Sequence, residues 1–198
     1  MTLAEEILAP RRPEHGVPVL KTERLTLRAP RRGDAKAIAL LAGDLRVSAN
    51  TARIPHPYGI ADAEQFVATI NTGDAELCWA IALDDALIGL CGLDLRSDGP
   101  ELGYWLGVPH WGCGFATEAA RAVIDFAFGK LDLQALQSGA RVTNPASRRV
   151  LEKCGFQWTG VRLIRVRAIA SSAPADRFRL DRGLWASLKS WGRAKREV

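Results

Sequence analysis

Residues 101–128 read ELGYWLGVPHWGCGFATEAARAVIDFAF, and the change of pattern within this stretch decides the fold. Leu102 to Val108 is mostly apolar and aromatic, as in a buried strand, and Pro109 ends it because proline cannot donate to a sheet ladder. From Ala116 the apolar residues Ala116, Ala119, Ala120, Val123, Ile124 and Ala127 recur at i, i+3, i+4 and i+7, which marks one buried face of a helix. Thr117, Glu118, Arg121 and Asp125 take the opposite side. Between the two halves stands Trp111-Gly112-Cys113-Gly114-Phe115-Ala116. Its glycines let the backbone turn and approach a bound group closely, and the first amides of the helix are unpaired donors at the positive end of its dipole. The stretch predicts a strand, a loop suited to a phosphate or pyrophosphate, and a helix. A Gly-x-Gly before a helix is also what an ordinary tight turn looks like, so a second stretch has to agree with it.

That second stretch is Asn144-Pro145-Ala146-Ser147-Arg148-Arg149-Val150-Leu151-Glu152-Lys153-Cys154-Gly155-Phe156. With Thr-Glu-Arg-Leu-Thr-Leu-Arg at 22–28, Trp-Gly-x-Gly-Phe-Ala-Thr-Glu-Ala at 111–119, Asn-x-x-Ser at 144–147 and Glu-Lys-x-Gly-Phe at 152–156, four motifs stand in order. In these motifs the chain resembles the GNAT superfamily of N-acetyltransferases, specifically its ribosomal-protein N-terminal acetyltransferase (RimJ/RimL-like) branch. The resemblance covers Lys21 to Leu188. It implies an α+β acyl-CoA N-acyltransferase fold with a mixed, mostly antiparallel sheet of about seven strands, a parallel central pair and flanking helices. It also implies acetyl-coenzyme A as co-substrate, no metal, and an amine acceptor, either a protein N-terminus or a small amine.

Length and composition agree with a single domain. The chain has 198 residues, 47% of them hydrophobic, enough for one well-buried core. Residues 1–18 read as an arm, 19–190 as the N-acetyltransferase domain and 191–198 as a basic tail. No run approaches the roughly 18 apolar residues of a membrane span, and Glu5, Glu6, Arg11 and Arg12 replace a signal core, so a cytoplasmic protein is expected. Cys78, Cys91, Cys113 and Cys154 lack metal-ligand or disulfide spacing. The net charge of +5 favours phosphates without implying nucleic acid. The arm either is flexible or packs on a partner subunit, which makes a homodimer one expectation.

Elsewhere, Leu25 and Leu27 alternate with polar residues in a half-buried strand, Asp34 caps a helix carrying Ala37, Ile38 and Leu41, and Asp62 with Gln65 forms a capping-box pattern before a second helix. Leu77–Leu83, Ala86–Leu95 and the central strand read as consecutive antiparallel strands. Ala135–Val142 returns parallel to the central strand. Phe156–Ala168 and Asp176–Asp181 close the sheet, with Ser171–Pro174 as their loop. Rossmann and P-loop readings are disfavoured, because the third glycine of one and the Gly-Lys-Ser/Thr of the other are missing.

Acetyl transfer needs a held coenzyme, a deprotonated amine, a stabilised oxyanion and a protonated leaving thiolate. By the resemblance, Trp111, Gly112, Cys113, Gly114, Phe115, Ala116 and Thr117 cradle the pyrophosphate, and the pantetheine arm fills a gap where the two parallel strands splay. Trp111 and Cys113 replace the glutamine or arginine and the basic residue that many relatives carry there, which leaves the backbone amides as the contacts. A backbone N–H among Leu106, Gly107 and Val108 is expected to face the oxyanion, with Gly107 suited to a bulge. Asn144 is either an N-cap or a pantetheine contact, and Ser147 either bonds local backbone or protonates the leaving thiolate. Glu101 resembles the glutamate that accepts the amine proton, with His110 and Glu118 behind it. Arg53, Tyr58, Trp79 and Tyr104 are candidates for the acceptor wall, with His56 also nearby, and Tyr104 and Trp105 are expected on opposite faces of the sheet.

Overall fold

The two long apolar runs before the central strand become the middle of the sheet. In the computed structural model, which describes residues 16–73, 75–95 and 99–194, they form β3 (Glu76–Leu83) and β4 (Ala86–Asp94). Six consecutive residues of β3 are buried, because both sheet faces are covered there. Leu77, Trp79 and Ile81 face α4 (Phe115–Gly129) in one core cluster. Cys78 and Ala80 face α1 (Ala35–Ala42) and α3 (Ile60–Thr69) in a second.

The sheet has eight strands rather than about seven. Its order is β1-β2-β3-β4-β5-β6-β8-β7, where β1 is Leu20–Lys21, β2 Thr26–Arg28, β5 Glu101–Leu106, β6 Ala135–Arg141, β7 Gln157–Val166 and β8 Ser171–Asp181. The additional strand is the two-residue β1, too short to leave a periodic trace in sequence. Every pairing is antiparallel except β5 with β6. The remaining helices are α2 (Leu45–Ser48), α5 (Pro145–Lys153) and α6 (Arg182–Ala194). The predicted face of α4 is the buried one, with Ala119, Ala120, Val123 and Ala127 wholly enclosed.

Several local expectations shift. Ser171–Pro174 is strand rather than loop, because these residues pair with Val166 back to Leu163, and the turn falls at Ala170 in a left-handed conformation. Asp34 places no side-chain cap on α1. It receives two hydrogen bonds from the Arg28 guanidinium, at 2.7 and 2.9 Å, and one from the Arg31 N–H. Burial works to raise the Asp34 pKa, but the Arg28 and Arg31 contacts outweigh it and the net shift is downward. Asp62 sits at the third position of α3 and accepts the N–H of Gly59, so the helix starts three residues earlier than its capping pattern suggested. α6 runs to Ala194, and residues 195–198 of the expected basic tail, like residues 1–15 of the expected arm, lie outside the described residues. No described helix is long and apolar enough to cross a membrane.

Candidate active site

The parallel pair β5–β6 is joined only at Glu101↔Gln137 and Leu102↔Ser138, whereas β4 pairs with β5 along its whole length. Beyond Leu102 the two strands part. The opening belongs to a cleft of about 1590 Å³, bordered by β5, Ser138 to Arg141 of β6, the loop before α4, the start of α5, the 50–58 loop and β7. Gly107 N–H donates to Ile88 on β4 at 2.9 Å. Alternate residues of a strand present their main-chain groups to alternate sides, so Tyr104 and Leu106 direct theirs into the gap. The Leu106 carbonyl accepts the Trp111 indole N–H at 2.7 Å, and because β6 pairs with β5 only at Glu101 and Leu102, the N–H groups of Tyr104 and Leu106 meet no main-chain acceptor among the described residues.

Gly107 therefore does not serve as the oxyanion donor or as a bulge. Its φ is −59°, and its glycine identity follows from packing: a Cβ would stand 2.5 Å from Leu41 Cδ2 on α1. Val108 opens a short 3₁₀ turn through His110, whose half-exposed side chain also borders the cleft.

At the coenzyme end, Gly112 and Gly114 take φ of +77° and +83°, values that side-chain-bearing residues adopt only under strain. The first intrahelical bond of α4 is Glu118 N–H to Gly114 O, so the N–H groups of Gly112, Cys113, Gly114, Phe115, Ala116 and Thr117 find no main-chain acceptor among the described residues. The cradle is braced from behind. Glu118 accepts the Thr22 hydroxyl at 2.6 Å and the Arg24 N–H and Nε, each at 2.8 Å, while Arg24 Nη1 donates to Cys113 O and the guanidinium stacks on Phe115. Burial tends to raise the Glu118 pKa, but these bonds reverse the shift. Thr22 and Arg24 of one motif and Glu118 of another are thus one clamp, and Glu118 is engaged away from the chemistry.

Across the gap, Asn144 caps α5 by accepting the Ser147 N–H at 3.1 Å. The Tyr104 hydroxyl lies 2.9 Å from Ser147 Oγ and 3.1 Å from Ser147 O. Burial dominates the Tyr104 hydroxyl and raises its pKa well above 10. Tyr104 consequently belongs to the coenzyme side of the sheet rather than to the acceptor wall, and Trp105 points the other way, toward α1 and α3.

The opposite face carries Glu101, Gly103 and Trp105. Arg177 grips Glu101 with both terminal nitrogens, at 3.0 and 3.1 Å, and lies across Gly139, where a Cβ would come within 2.8 Å of it. Gly103 is exposed and a Cβ there would meet nothing within 4 Å, so the cleft floor is bare. Arg53 borders this end, paired with Glu76 and, at 3.6 Å, with Asp94. Tyr58 also borders it, half-buried, its hydroxyl pushed up to about 12 by burial and by Asp62. Trp79 does not. It is fully enclosed on the α4 face, stacked edge-on against Phe126 with its indole N–H on Pro18 O, because the odd positions of β3 point away from the acceptor face. Arg177, Gly103 and Arg141 were missed in sequence. An arginine in an alternating strand and a glycine of ordinary φ carry no local signal.

A profile described as the acetyltransferase (GNAT) domain matches residues 24–157. The uncharacterised N-acetyltransferase p20 of Bacillus licheniformis is 33% identical over 150 residues, covering 72% of this chain and 84% of that protein. Mycobacterium smegmatis RimJ, solved with CoA-disulfide, superposes with a TM-score of 0.72 at 20% identity, over 84% of this chain and 87% of RimJ. Vibrio cholerae spermidine N-acetyltransferase, solved with CoA and spermine, gives 0.71 at 23%, over 83% and 99%. With the splayed strands and the glycine loop, these matches lead to one assignment: the chain belongs to the GNAT family of acetyltransferases, which draw their acetyl group from acetyl-coenzyme A.

Proposed function

We propose that the chain transfers the acetyl group of acetyl-coenzyme A to the N-terminal amine of a peptide or protein by direct attack of the amine on the thioester. The observation that carries this reading is the single cleft that joins a cradle of unpaired amides at Gly112–Thr117 to Glu101 through the gap beside β5. Amides of the loop and the first turn of α4 hold the pyrophosphate. The N–H groups of Tyr104 and Leu106 face the position where the oxyanion develops. As the C–N bond forms and the C–S bond breaks, Ser147 offers its hydroxyl to the sulfur, oriented by Tyr104.

In this reading Glu101 receives the amine proton through a water molecule. Arg177 occupies one lone pair on each carboxylate oxygen, and the remaining pairs are available toward the cleft. A peptide N-terminus suits the bare floor at Gly103, over which an extended chain can lie without meeting a side chain. The test is thiol release from acetyl-coenzyme A with a panel of peptides, polyamines and amino acids. Peptides are expected to be the best acceptors. Release with polyamines alone would replace the acceptor, and tight coenzyme binding with no release by any amine would leave a binding module.

A further inference from the structure

The carboxylates of the acceptor end are already engaged. Glu101 is held by Arg177, Glu76 and Asp94 by Arg53, and Asp62 by the Gly59 N–H. Of the arginines lining the same cleft, Arg141, Arg149, Arg162, Arg165 and Arg167 form no ion pair with any described carboxylate, and all of these except Arg149 on α5 lie on β6 or along and just after β7. Arg141 is half-buried on β6. Its Nη1 donates to Ala49 O at 2.7 Å, while its Nε is enclosed without an acceptor. Arg162 is the register partner of Ala175, two residues from Arg177 on β8, so Arg162 and Arg177 share the acceptor face. Arg167 ties the β7 end to the 50–53 loop through Ala52 O and Arg53 O, which brings the row over the cleft. Arg162, Arg165 and Arg167 are exposed and reachable by a ligand, whereas the half-buried Arg141 guanidinium lacks a counter-charge, which is unfavourable unless a ligand supplies one.

We propose that the acceptor carries a carboxylate close to its reacting amine, as a peptide with Asp or Glu at its second or third position does, and that Arg141 and Arg162 select it. This rests on the acetyl-transfer reading above. A polycationic amine would have to displace Arg53 or Arg177 from the carboxylates they hold, whereas an acidic peptide completes the charge balance.

The test uses the full chain, acetyl-coenzyme A and three peptide amides of equal length, Ser-Glu-Asp, Ser-Gln-Asn and Ser-Lys-Arg at their N-termini, with free glutamate alongside. The acidic peptide should exceed the neutral one in kcat/KM by about tenfold, through KM, with the basic peptide last. That ratio should shrink toward one between 0.05 and 0.5 M salt, as the Debye length contracts. Arg162→Glu should abolish or invert the acidic preference, and Arg141→Gln should reduce it. Equal use of the three peptides, or a preference that Arg162→Glu leaves intact, overturns the inference while acetyl transfer stands. Turnover of free glutamate but of no peptide overturns the peptide form, and no release from any amine removes both readings.

Discussion

Tyr104→Phe removes one oxygen from the coenzyme side of the gap, and its consequence follows from the geometry. The hydroxyl is 2.9 Å from Ser147 Oγ and 3.1 Å from Ser147 O, yet it has one proton to give. If Tyr104 donates to the carbonyl, Ser147 turns its own proton toward Tyr104 and none faces the sulfur. If Tyr104 donates to Oγ, the serine proton is free for the thiolate, and a developing negative charge selects this arrangement. A net hydrogen bond is worth about 0.5–1.5 kcal/mol, and more when one partner is charged, so at about 1.4 kcal/mol per decade kcat should fall roughly tenfold. KM for acetyl-coenzyme A should stay within about twofold. Ser147→Ala should cost at least as much, and the double variant should resemble Ser147→Ala alone, with a coupling of about 1 kcal/mol. Because burial raises the Tyr104 pKa above its ordinary value near 10, no loss of kcat from its ionisation is expected below that pH. Stopped-flow or steady-state thiol release on the four proteins measures all of this. Single effects that multiply in the double variant, or a change in KM with kcat preserved, would refute the reasoning.

Gly103→Val fills a floor where a Cβ meets nothing, so the fold should persist while KM for a peptide acceptor rises about tenfold and coenzyme affinity, read by isothermal titration, does not change. Gly114→Ala places a side chain at φ +83° and should cost about 1–2 kcal/mol, lowering Tm by roughly 2–8 °C in calorimetry and weakening coenzyme binding as the cradle shifts. Asp34→Asn breaks the pairing with Arg28, where both side chains are about one-tenth exposed, and should destabilise by about 3 kcal/mol at pH 7 in urea titrations. The folded Asp34 pKa is depressed, so its contribution is complete above the unfolded value near 3.9 and disappears as pH falls through the folded value. The gap between wild type and variant should therefore narrow on acidification below about pH 4.

The strand–loop–helix of residues 101–129 and the mixed sheet were legible in the sequence alone, and Asn144 was legible as one of two readings, of which the cap is the one the fold realises. Period, proline, glycine and capping chemistry act over a few neighbouring residues, so they are written locally. The sequence also placed the two faces of β5 correctly, since alternation is a property of any strand. It could not tell which face met which layer, and so it put Trp79 and Tyr104 on the acceptor side; the packing of α4 on one face and of α1 and α3 on the other decided that. It read Thr22, Arg24 and Glu118 as separate motif letters, although nearly a hundred residues of chain close into one clamp. It found Glu101 but not Arg177, which reaches it from β8 only because β6 lies between them in the sheet. Contacts between residues far apart in the chain arise from strand order and register, and those exist only once the core has formed.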